Sequence, residues 1–133
     1  MGDRAVIGLE DCETGIYVHW NGEPSTVLGY LQAAKALGYR DPTEDPSYAI
    51  ARLCGLISFD TGLGSSTGIG VGDLKHLDTD NGDNGTYIVG KDWNVTKWYG
   101  SGSDSLPFDD AVVIAAERKA AMLVHRVHEV AKL

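Results

Sequence analysis

The sequence predicts an α+β domain, with a mainly antiparallel sheet of four or five strands and three helices on one face, in the order ββααβββα. Three observations predict it. Short runs in which apolar and polar residues alternate lie before residue 21 and between residues 67 and 99. Two segments with apolar residues three and four apart stand between those runs. Residues 108–132 carry neither glycine nor proline and form a third such segment. The 133 residues suit one domain, 1–133, and no internal repeat divides them.

Residues 4–9 (RAVIGL) and 15–20 (GIYVHW) read as strands joined by the polar link EDCET. In the second, Ile16, Val18 and Trp20 share one face, and Tyr17 and His19 the other. Asn21-Gly22 is a strong turn dipeptide. A helix follows, entered through Glu23, Pro24, Ser25 and Thr26, with the stripe Val27, Leu28, Leu31, Ala34 and Leu37. Gly38 stops it, and Tyr39 is placed to pack back on the last turn. After the connector RDPTEDP, Asp45 caps a second helix and Pro46 suits its first position. Ile50, Leu53, Cys54, Leu56 and Ile57 make that helix apolar almost all round, hence deeply buried, and it should end near residues 58–60.

Five glycines fall within residues 62–72; the first half reads as loop and residues 67–71 as a weak strand through Ile69 and Val71. Residues 86–90 and 93–99 form a hairpin turning at 90–92. In its second strand Trp93, Val95 and Lys97 face one way and Asn94, Thr96 and Trp98 the other. Residues 100–105 are a link. The last helix opens with Asp109 and Asp110 and carries Arg126 and Lys132 near its end, an order that complements the helix dipole. Val112, Ala116, Ala120, Leu123, Val127 and Val130 make its stripe.

The net charge is −8, unevenly spread. Residues 1–72 and 73–110 each sum to −5, whereas residues 111–133 sum to +2. Such a chain repels phosphate, so direct binding of nucleic acid is not expected and a basic partner is. No run of about 18 apolar residues exists to span a membrane, and residues 1–11 lack the pattern of a signal peptide. Cys12 and Cys54 read as free thiols, and we expect a cytoplasmic protein.

Residues 77–93 (LDTDNGDNGTYIVGKDW) place three aspartates, two asparagines and two glycines within 78–85. As a calcium loop counted from Asp78 it fails: only Asp78 and Asp80 fit, while position 5, the glycine at 6 and the closing glutamate do not. It reads instead as a turn-forming tip that presents Asp78, Asp80 and Asp83. The glycine-rich stretch matches neither phosphate-binding fingerprint, since it lacks Gly-Lys-Ser/Thr, has the wrong glycine spacing and follows a helix. Its amides at Gly64, Ser65, Ser66, Thr67 and Gly68 could still cradle an anion. His125 and His128 share a side of the last helix but lack a third metal ligand, so neither metal nor cofactor is expected. His19 and His76 remain as loose acid–base candidates, and catalysis is the weakest reading. Trp93 and Trp98, on opposite faces of a regular strand, would put one ring in the core and one at a partner.

Two blocks, residues 15–31 (GIYVHWNGEPSTVLGYL) and 77–93, with SYAIARLCGLI between them, resemble small uncharacterised proteins from prophages and mobile elements of Gram-positive bacteria. The resemblance covers about two thirds of the chain and brings no catalytic residue with it. It implies an accessory protein that binds and inhibits a basic host-defence protein, with an anti-CRISPR protein as the particular form. Asp78, Asp80, Asp83, Trp93 and Trp98 are the expected contacts. The alternative is a small-ligand or nucleotide-signal binder using residues 62–72, and a homodimer is also open to the chain.

Overall fold

The computed structural model describes residues 2–62, 68–99 and 106–132. Five strands, β1 (Ala5–Leu9), β2 (Thr14–Val18), β3 (Ile69–Asp73), β4 (Thr86–Val89) and β5 (Val95–Tyr99), form one sheet in the spatial order β3-β2-β1-β4-β5. Three helices, α1 (Pro24–Ala36), α2 (Pro46–Thr61) and α3 (Asp110–Ala131), complete the predicted order. The α+β class stands. The sheet, however, is mixed: three pairs are antiparallel, but β1 and β4 run parallel, with Ile7 opposite Tyr87. The cause lies in β1, every residue of which is buried. A strand apolar on both faces belongs in the sheet centre, where a parallel neighbour is suited to it.

Register assigns the two faces. Ile7 sits opposite Ile16 and Tyr87, and Tyr87 opposite Trp98, so these four share the face that carries the helices. With Val18, Val89, Tyr30, Leu31, Leu53, Ile57 and Leu123 they build the core. Burying each of these large side chains contributes about 2 kcal/mol. The opposite face holds Val6, Gly8, Gly15, Tyr17, Thr86 and Ile88. No helix lies on it among the described residues; Leu74 and Leu77, in and after a 3-10 turn at Leu74–His76, pack there instead. A Cβ at Gly8 would come 3.0 Å from Leu74, and one at Gly15 2.8 Å, so both glycines are needed for this close approach.

The helix termini follow their sequence signals. Gly38 takes φ 79°, Tyr39 N–H bonds the Ala34 carbonyl at 3.1 Å and Gly38 N–H that of Lys35 at 3.0 Å, a Schellman stop. Asp45 Oδ1 accepts from Tyr48 N–H at 3.2 Å, and Pro46 opens α2. β3 begins two residues later than its predicted start. Trp93 is not in β5: it closes a 3-10 turn, Lys91–Trp93, with φ 62°. That left-handed backbone is unusual for a bulky residue. Its ring is buried and its indole N–H reaches the Tyr39 carbonyl at 3.3 Å.

α3 packs chiefly on α1 through small residues: Gly29 and Ala33 on α1, Ala116 and Ala120 on α3. A Cβ at Gly29 would sit 2.6 Å from Lys119 Cγ and 2.8 Å from its Cβ. Gly55, inside α2, would meet nothing within 4 Å. The same substitution should therefore act with opposite sign. Gly29→Ala should destabilise by about 1 kcal/mol, the overpacking exceeding the gain in helix propensity. Gly55→Ala should stabilise by about 0.5–1 kcal/mol. Urea denaturation of the two variants checks this; equal shifts would refute the close contact.

Candidate functional site

The acidic tip is a built loop. Asn81 is buried and makes four hydrogen bonds: its Nδ2 donates to the carbonyls of Asp78 and Gly85, and its Oδ1 accepts from the N–H groups of Asp83 and Gly85, all at 3.0 Å. The bond from Asp83 is an Asx turn, the reason such residues favour turns. Gly82 and Gly85 take positive φ, as the sequence led one to expect of this stretch. Arg4 then ties the tip to β1: its Nε donates to Asp83 Oδ2 at 2.8 Å, its backbone N–H to the same oxygen at 3.0 Å, and its guanidinium lies 3.6 Å from Asp78. The hydrogen bond to the Arg4 side chain holds the Asp83 carboxyl below the ordinary range.

Of the five expected contact residues, then, Asp78 and Asp83 face Arg4, and Asp80 is exposed with no ion-pair partner among the described residues. Both tryptophans turn inward. Trp93 is buried, and Trp98 stacks on Tyr87 with ring centroids 5.7 Å apart, packs on Phe108 at 5.1 Å, and donates its indole N–H to Asn84 O at 2.8 Å. The prediction of one core and one outward ring assumed that both lie on a regular strand; the 3-10 turn at Trp93 and the bulge beside Ile88 and Val89 break that alternation.

Gly64, Ser65, Ser66 and Thr67 lie outside the described residues. Gly68 O accepts from His19 N–H at 2.9 Å. His19 Nδ1 is 2.8 Å from Tyr17 Oη, and its ring meets Trp20 edge-on. His76 is exposed in the turn after β3, and His125 and His128 are exposed on α3. Among the described residues no three His, Cys, Asp or Glu side chains converge as metal ligands, and no helix is long and apolar enough to cross a membrane.

What sequence reading missed is the helix-free sheet face. A recess of 450 Å³ lies among Leu74, Asp80, Thr86, Ile88 and Tyr99. A second, of 610 Å³, shares Leu74, Ile88 and Tyr99 with the first and continues to Leu9, Glu10, Asp11 and Glu13. The two make one groove along β4, apolar at its floor and acidic at both ends. Asp11, Glu13 and Asp80 are exposed and lack ion-pair partners among the described residues. Alternation did signal the floor, since Thr86, Ile88, Lys97 and Tyr99 are the residues left when the core-facing ones are removed. The walls come from Leu74 and from the link before β2, which no periodicity reveals.

Fold and site thus define an α+β protein with one sheet face under helices and the other forming an open, acid-ended groove. Comparison of the chain with family models, curated proteins and solved structures gives no match.

Proposed function

We propose that this is an accessory protein of a phage or mobile element that binds a basic host protein in the cytoplasm and blocks it, with inhibition of a CRISPR effector as the particular form. The reading rests on charge and shape together. The chain carries a net −8, and unpaired carboxylates stand around an apolar groove that no helix covers among the described residues. A surface of this kind steers and holds lysine- and arginine-rich surfaces and repels nucleic acid. Apolar floor gives affinity that charge alone does not, because rim ion pairs contribute little. Asp80 is the tip residue best able to meet a partner, since Arg4 already engages Asp78 and Asp83.

The test is capture of host proteins on the immobilised chain, joined to an assay of CRISPR interference in cells expressing it. The expected result is a basic defence protein that is released as salt rises from 0.05 to about 0.5 M, with loss of interference. Retention of no defence protein together with undiminished interference would overturn the proposal.

A further inference from the structure

The groove's shape and charge select among basic ligands. Its floor runs along β4 (Thr86–Val89) and the paired residues of β5, so its length is about four residues of extended chain at roughly 3.3 Å each. Leu74 stands over Gly8 of β1, and Tyr99 belongs to β5; these strands lie two places apart in the sheet. Two strand spacings make about 10 Å before the side chains of Leu74 and Tyr99, which bound this width, are subtracted. A helix with its side chains needs about 10–12 Å, so a helical ligand does not seat. Around the two recesses four carboxylates, Glu10, Asp11, Glu13 and Asp80, oppose one ammonium, Lys97. Glu10 already accepts the Thr96 hydroxyl at 2.6 Å, which leaves acids free at each end and an apolar stretch between them.

We propose that the groove takes an extended segment of the partner protein in which one apolar side chain is flanked by lysine or arginine, the apolar group seated between Leu74, Ile88 and Tyr99 and the cations at Asp80 and at Asp11 and Glu13. This rests on the reading of the chain as a binder of a basic protein and adds the form of the bound element. A second copy of this chain is disfavoured as occupant, since it brings a further −8.

The probe is a synthetic peptide, acetyl-Lys-Arg-Leu-Lys-Arg-amide, titrated into the isotope-labelled chain and followed by amide NMR shifts. Shifts are expected at Leu9, Leu74, Ile88 and Tyr99. The peptide with serine in place of leucine should bind at least 5-fold more weakly. The double variant Asp11→Asn, Glu13→Gln should weaken binding at least 3-fold with the rest of the spectrum unchanged; asparagine suits position 11, whose φ is 55°. The inference is overturned by absence of binding, by shifts that avoid the groove, or by equal affinity for the leucine and serine peptides. It is equally overturned by an equal response to Glu-Asp-Leu-Glu-Asp, or by groove shifts on raising protein concentration alone, which would assign the face to a second copy. A host protein that still binds salt-sensitively after such a result keeps the wider reading and discards the groove. A seated peptide with no host partner does the reverse.

Discussion

Replacing Asp60 with alanine should destabilise the fold by about 3 kcal/mol, read as a midpoint of thermal unfolding lower by about 10 °C. Asp60 closes α2, and its side chain is only 6% exposed. It joins all three helices. Tyr30 Oη of α1 donates to it at 2.7 Å, Lys119 Nζ of α3 at 2.8 Å and Arg126 of α3 at 3.2 Å. Lys119 and Arg126 keep partial access to water, at 22% and 42%. Removing Asp60 therefore leaves two cations that can partly resolvate, and the loss falls at the lower end for a buried pair. Burial pushes the Asp60 carboxyl up, but the bonds from Lys119 and Tyr30, the charge of Lys119 and the bond from Arg126 outweigh it and hold it below the ordinary range. Its stabilisation is thus fully present above the unfolded value of about 4 and is lost as pH falls through the folded one. Asp60→Asn, which can still accept from Tyr30, should cost less than Asp60→Ala, and its deficit against the native chain should shrink between pH 7 and pH 3. Denaturant melts at both values check this; a deficit independent of pH would remove the charge from the account.

The second large effect belongs to Asn81. Asn81→Ala should cost about 2 kcal/mol, the loss of four hydrogen bonds moderated by entry of water into a loop at the surface. Amide exchange should rise across residues 78–85 while the helices keep their protection. Asn81→Asp separates the two halves of the site. It retains the acceptor for Asp83 N–H and Gly85 N–H, but turns a carboxylate on the Asp78 and Gly85 carbonyls, which favours the protonated form. It should be less stable than the native chain at pH 7 and recover as pH falls. Exchange unchanged by either variant would mean that Arg4 and the backbone hold the tip without Asn81.

How much of this was legible in the sequence follows from which signals are local. α3 was legible because residues 108–132 lack breakers and keep one apolar stripe. α2 was legible because Asp45-Pro46 carries both the cap and the first-turn proline. The α1 stop at Gly38 was equally plain. The parallel pairing of β1 with β4 was not, because it joins segments about 80 residues apart; its trace in the sequence is the unbroken apolar run AVIGL. Trp93 was misplaced because the left-handed backbone of the expected turn residue Asp92 continues through Trp93, where the strand was expected to begin. The tip's turn chemistry was readable from Asn and Gly, but its bond to Arg4, 79 positions away, was not. The groove was the least legible feature. Its floor follows from alternation, whereas its walls depend on Leu74 packing over Gly8 and Gly15, three residues that strand periodicity does not connect.

Asp60 and Asn81 describe one division of labour. Helices, core and buried charge lie on one face of the sheet; the stitched tip and the open groove lie on the other. The measurement that tests this most directly is amide hydrogen exchange of the chain alone and in complex with any host protein captured in the test proposed above. Protection should appear at residues 8–13, 74–80, 86–89 and 97–99 and be unchanged along the exposed side of α3, at Ile114, Arg118 and Met122. Protection of α3 with the sheet face unchanged would contradict the account.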